Sequence, residues 1–262
     1  MRLGIGGDYE KLTMIKEAGF DFLEYNVAQL SKLTDEEYEN FRALTLKENF
    51  FVETMCVMLP PEIKVTGEGI DLNEKVVPYL NLVIPRAHGL GCKKFVFGSS
   101  RSRNMPEGFW DRRKAYDQIV EFLRLAARMM EPYGMEIVIE PCPNPDNNIL
   151  NFVSEGNYVM KLVDRENVKL LADTYLMQSN FEELGEIRTY VKSLNHIHIS
   201  APDREIPYPN DGFDYTELFQ VINESNYDST ITIEAFHPET GCAQRMKEAY
   251  KLIAGGLDKM KK

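Results

Sequence analysis

The chain has 262 residues, 44% hydrophobic and 27% charged, with a formal net charge of −11. That charge argues against a nucleic-acid partner, because a protein that follows a phosphate backbone needs a Lys/Arg surplus on one face. No run of about 18 apolar residues is present, so no membrane-spanning helix and no membrane partner are expected, and "MRLGIGGDYEKLTM" turns charged too early for a signal peptide. Four scattered cysteines with no CxxC pair fit reduced thiols and a cytoplasmic protein.

In chain order, short β-branched or apolar runs alternate with helical patterns. The runs are 2–7 (RLGIGG), 20–26 (FDFLEYN), 50–58 (FFVETMCVM), 93–100 (KKFVFGSS), 135–141 (MEIVIEP), 167–174 (NVKLLADT), 193–200 (SLNHIHIS) and 229–236 (STITIEAF). Eight strand–helix units with no linker or low-complexity break predict a single α/β domain over 1–262, a closed (β/α)8 TIM barrel. A doubly wound open sheet would show a glycine-rich phosphate loop after the first strand. "GIGGDYEK" lacks the GxGxxG spacing and reads as a tight turn. Gly19, Gly91 and Gly134 suit helix C-termini, and Pro78 and Pro85 predict a kinked or split third helix. Long loops are expected after strands three, four, five, seven and eight, at the C-terminal ends where a barrel carries its chemistry.

The last four strands each end on a metal-ligating residue: Glu140, Asp173, His198 and Glu234, spaced 33, 25 and 36 residues apart. A single acidic residue there is commonly a helix cap or a rim charge. Four on consecutive strands converge on one end of the barrel axis. Three carboxylates in a partly dry space repel one another unless a cation compensates. Three oxygens and an imidazole suit divalent Mn²⁺, Co²⁺ or Mg²⁺; Zn²⁺ more often has His- or Cys-rich ligation. His196 lies two residues deeper on the same strand face, where it is read as a packed or hydrogen-bonding residue behind His198. Arg101 and Arg103, in "GSSRSRN", could hold an anion. His88 carries no pattern, His237 could line the mouth, and Phe109 and Trp110 read as packing aromatics.

The set "IEP…ADT…HIH…R…IEAF" resembles the xylose-isomerase-like barrel superfamily, and within it the sugar isomerases and epimerases related to ketose 3-epimerases. The resemblance runs over essentially the whole chain, with the strand-end order E–D–H–E as its most specific part; "LEYN", with Glu24, has a familiar look. It implies metal binding by Glu140, Asp173, His198 and Glu234, with Mn²⁺ as the expected cofactor. Glu140 and Glu234 are then catalytic, moving a proton next to a sugar carbonyl through an enediolate. It also implies that Arg204, six residues after His198, contacts substrate oxygens, with Asp146 where the epimerases carry a glutamate supporting the metal ligands. Asn148 and Asn151 fall near the family's asparagines. His196 and Arg101 complete the expected substrate side. The family histidine three residues after the metal aspartate is Leu176 here, and its PGxG turn is replaced by "IPYPNDG". A small sugar or sugar phosphate is the expected substrate, and barrels of this type commonly form homo-oligomers. Dehydration of a cyclic polyol on the same metal core, or sugar binding without turnover, are the alternatives. An abasic-site endonuclease of the same superfamily would need more than the four histidines present.

Overall fold

The computed structural model describes residues 1–144, 147–235 and 242–259. Eight parallel strands close into a barrel in chain order. They are β1 (Arg2–Gly6), β2 (Phe22–Asn26), β3 (Val52–Cys56), β4 (Lys94–Phe97), β5 (Glu136–Ile139), β6 (Val168–Asp173), β7 (Leu194–Ile199) and β8 (Thr230–Ile233). β1 closes the ring by pairing with β8, Arg2 opposite Thr230 through Ile5 opposite Ile233. All eight expected strands are present, each somewhat shorter than its apolar run.

The strands form because their residues alternate between two buried environments. Leu23, Tyr25, Phe95, Phe97, Ile137, Ile139, Ile197, Ile199, Ile231 and Ile233 face the helices and belong to one continuous apolar core. The other parity faces the barrel axis. There Val96, Val138 and Leu171, with Cys56 against them, form a small separate apolar cluster. Most of the remaining inward positions are polar: Glu24, Thr54, Lys94, Glu140, Asp173, His196, His198, Thr230 and Thr232 are all buried. At the floor, Gly4 makes room for an aromatic ring; a Cβ there would stand 2.2 Å from the Phe22 ring.

The third long helix, expected to be kinked or split, is not split. Leu72–Gly89 is one helix with Pro78 and Pro85 inside it. Both prolines are exposed, as are Glu74 and Asn81, the residues four back whose carbonyls lose a helical partner. Those carbonyls lie on the solvated side, which is why two prolines are tolerated. Gly19, Gly91 and Gly134 take the left-handed conformation expected at helix ends, with φ of 111°, 90° and 63°. Short helices that the pattern does not announce, Val27–Leu30, Ser100–Arg103 and Thr174–Ser179, follow β2, β4 and β6 on the C-terminal side. All four cysteines are free. Among the described residues, no helix is long and apolar enough to cross a membrane.

Candidate metal centre

Glu140 and Glu234 sit one residue beyond β5 and β8, Asp173 ends β6, and His198 is the penultimate residue of β7. Each offers a ligand atom, and the four atoms lie within 4.8 Å of one another. His198 is the hub: its Nδ1 is 2.9 Å from Glu140 Oε1 and 3.5 Å from Glu234 Oε2. Glu140, Asp173 and His198 are buried, and the side chain of Glu234 is 19% exposed, at the open end of the cluster.

Local sequence fixes each carboxylate. Asp173 caps the short helix that follows it, its Oδ1 accepting from the backbone N–H groups of Tyr175 (2.8 Å) and Leu176 (3.1 Å). This leaves Oδ2 for the cluster. Leu176, at the family's histidine position, therefore supports the site through its backbone. Glu140 lies against Gly98, where a Cβ would come within 1.7 Å of Glu140 Oε2, so the glycine after β4 is what lets this carboxylate into the mouth. The main chain of Glu140 is held from behind by Arg103, which is fully buried and donates to the carbonyls of Phe97 (2.7 Å) and Glu140 (2.8 Å).

Arg204 adopts a left-handed φ of 62° in the turn after β7. For a non-glycine residue this conformation is costly, and it is found where a site demands it. The turn brings the guanidinium over the Tyr175 ring, 4.4 Å from its centroid. From there Arg204 donates to Asp173 Oδ2 at 2.8 Å and Glu234 Oε2 at 3.0 Å. The residue expected to meet substrate is thus also tied to two of the four carboxylate and imidazole groups.

The electrostatics follow from crowding. Burial pushes the carboxyl of Glu140 well above the ordinary carboxylate range, with Glu234 and Asp173 adding to the effect against the pull of His198. Burial opposes ionisation of Glu234 too, but His198 and Arg204 outweigh it and hold that carboxyl low. Burial would discharge His198, yet Glu24 and Glu234 raise it well above the ordinary histidine value. Without a cation the crowded negative charge is offset by Arg204 and by the raised proton affinity of His198 and Glu140.

Glu24 is the residue whose role the sequence leaves unassigned. It is buried on β2 and reaches across the barrel, with His198 Nε2 at 3.1 and 3.3 Å from its two oxygens. Its Oε2 also meets His196 Nε2 at 3.1 Å and accepts from Thr54 Oγ1 at 2.6 Å. Burial disfavours its charge, but both histidines overcome this and hold the carboxyl far below its usual range. The available signal was a glutamate in the middle of the strand "FLEYN", directly after the apolar Phe22 and Leu23. Cys56 also lies close to Glu24 and Glu234.

Several expectations for the substrate side need correction. His196 is fully buried with both ring nitrogens engaged, Nε2 by Glu24 and Nδ1 by Thr230 Oγ1 at 2.7 Å, so it has no free nitrogen for a substrate. Burial holds it neutral, its pKa lowered to about 4. Arg101 is exposed outside the cluster, lining a separate cavity of about 460 Å³ with Lys64, Asn104 and Met105. Arg103 is a buried brace, not an anion ligand. Trp110 is 84% exposed, whereas Phe109 is buried as expected. Asn148 pins the β4 loop by pairing with the main chain of Met105 at 2.9 Å in both directions. Asn151 ties the β5 loop through the carbonyls of Cys142 and Asn147. Asp146 and His237 lie outside the described residues.

Comparison with known proteins bears on the family and the fold. A model of the xylose isomerase-like TIM barrel matches residues 12–255. The chain belongs to that family. A D-psicose 3-epimerase of Ruminiclostridium cellulolyticum is 26% identical over 149 residues, 56% of this chain and 50% of the relative. The chain thus spans about half the length of that curated relative. A probable ketose 3-epimerase of Synechocystis is 25% identical over 232 residues, 86% of this chain and 77% of the relative. Among solved structures, a D-psicose 3-epimerase from Clostridium cellulolyticum H10, crystallised with D-tagatose, superposes with a TM-score of 0.85 at 18% identity. It covers 98% of this chain and 99% of its own, and at that identity it speaks for the fold.

Proposed function

We propose that this family member is a divalent-metal-dependent sugar epimerase or isomerase acting on a ketose or ketose phosphate, with Mn²⁺ as the preferred ion. The observation that carries the reading is the convergence of Glu140, Asp173, His198 and Glu234 on one point at the mouth. The residues fit a cation on three counts. The donor set of three carboxylates and one imidazole suits a six-coordinate ion with positions left open. His198 turns Nδ1 toward Glu140 and Glu234 and Nε2 toward the Glu24 carboxylate, the arrangement of a metal-bound imidazole whose second nitrogen is held by an acid. Burial raises Glu140, a carboxylate short of positive charge, which a cation would supply.

When bound there, the metal would polarise a substrate carbonyl and stabilise charge developing on its oxygen. The proton chemistry belongs to the protein. Glu140 and Glu234, on β5 and β8, flank the cluster; one removes the carbon-bound proton beside the carbonyl and the other returns one. Return to the same carbon from the opposite face epimerises it, and return to the neighbouring carbon exchanges ketose for aldose. Arg204 holds Asp173 and Glu234 in place and offers its guanidinium to a substrate oxygen at the rim. The names of the relatives favour epimerisation at carbon 3 of a ketose.

Incubation with ketohexoses and Mn²⁺ in D₂O tests this. Deuterium at a carbon next to the carbonyl, with appearance of the epimer or aldose, is the expected result. Loss of water from a polyol would point to a dehydratase, and absence of exchange with free and phosphorylated ketoses would sink the proposal.

A further inference from the structure

A buried line of hydrogen bonds crosses the barrel from its floor to His198. It starts at Lys94 on β4, 6% exposed, whose ammonium donates to Asn195 O (2.8 Å), Ser229 Oγ (2.9 Å) and Thr230 Oγ1 (2.8 Å). Thr230 Oγ1 is 2.7 Å from His196 Nδ1, His196 Nε2 is 3.1 Å from Glu24 Oε2, and Glu24 meets His198 Nε2. Thr230, His196, Glu24 and His198 are all buried.

The direction of this line is set by its first member. An ammonium has three hydrogens and no lone pair, and here all three are used. Thr230 Oγ1 must accept from Lys94, so its own hydrogen goes elsewhere. The carbonyl of Asn195, which already accepts from Lys94, is a distant 3.4 Å away, and the one hydrogen of Ser229 Oγ has its nearer acceptor in Asn195 Oδ1 at 2.5 Å. His196 Nδ1, at 2.7 Å, is by far the closer acceptor for the Thr230 hydroxyl. A histidine that accepts at Nδ1 and is neutral carries its proton on Nε2, which faces Glu24. The other tautomer would set a lone pair against a carboxylate.

We propose that Lys94 and Thr230 are positioning residues: they lock His196 in its Nε2–H tautomer, so that Glu24 receives N–H donors from both histidines and His198 keeps Nδ1 directed at the metal centre. The link to metal affinity rests on the functional reading above; the tautomer does not. Replacing groups that orient a metal-bound histidine typically weakens binding by about 10–100-fold, and Thr230 stands two steps behind Glu24, so a weakening at the low end, about tenfold, is expected.

The test reads the histidine rings by long-range ¹H–¹⁵N NMR in the metal-free protein, where four histidines keep the spectrum assignable. Wild-type His196 is expected to show an unprotonated Nδ1 and a protonated Nε2. Thr230→Val and Lys94→Met are expected to disturb that pattern and weaken Mn²⁺ binding about tenfold, while Thr230→Ser restores both. An Nδ1–H tautomer in the wild type would overturn the proposal. So would a Thr230→Val protein with the wild-type tautomer and Mn²⁺ affinity. An Nε2–H His196 in a protein that binds no Mn²⁺ would support the hydrogen-bond direction and overturn the functional reading instead.

Discussion

The eight strands carry two interiors of different character. On the outward parity, aliphatic and aromatic side chains pack against helices such as Arg112–Met130, where Phe122 meets Phe97 with ring centroids 5.0 Å apart. On the inward parity, two carboxylates, a lysine, two histidines and several threonines are buried in the same strands. Apolar burial is strongly favourable and needs no partner, whereas each buried polar group needs one to break even. The outer layer therefore holds the barrel together, and the inner layer spends that stability on a site. Substitutions on the two faces should separate fold from function.

The largest effect is expected at the mouth. Glu234→Gln removes a proton-transferring carboxylate and should lower turnover by about 10²–10⁴-fold, with an unfolding temperature close to wild type, measured by kinetics and thermal melts on one preparation. Phe122→Ala probes the opposite face. It should cost about 3–5 kcal/mol in denaturant unfolding and leave metal affinity unchanged in the folded fraction. A loss of metal binding here would break the separation.

Two substitutions sharpen how the inner face is organised. Glu24→Gln, which keeps size but removes the charge that holds His198 and His196, should weaken Mn²⁺ binding by about 10–100-fold. Gly98→Ala adds one methyl group where the Glu140 carboxylate lies, and should weaken binding by about tenfold by turning that ligand aside. Titration calorimetry checks both. The smallest effect concerns stability of the metal-free protein. Burial raises the Glu140 carboxyl above its unfolded value, so from that value up to its folded pKa unfolding releases its proton, and rising pH costs stability. Glu140→Gln cannot titrate. Its advantage over wild type in thermal melts should be absent below the ordinary carboxylate range and grow as pH rises toward neutrality.

The same contrast explains what was legible in the sequence. The outer layer is visible because apolar residues recur at strand and helix periods, which suffices for eight units and their order. Glu140, Asp173, His198 and Glu234 are visible because each ends its strand, one unit apart. Lys94 and Thr230 are not, and Glu24 stands out without a role, because a polar residue inside a strand looks alike whether it faces solvent or the barrel axis. Arg103 misleads for a related reason: "GSSRSRN" resembles an exposed anion loop, and only the folded chain shows that its second arginine turns inward to brace Phe97 and Glu140. His196 is assigned to the correct face and depth, but its partners lie on β2 and β8, more than 30 residues away in each direction.

The central claim, that the ends of β5 to β8 hold one divalent cation, is tested most directly by anomalous diffraction from crystals grown with Mn²⁺. A single strong peak bounded by Glu140, Asp173, His198 Nδ1 and Glu234 is the predicted result. A structure at saturating Mn²⁺ with no peak there, and Arg204 still paired with both Asp173 and Glu234, would contradict it.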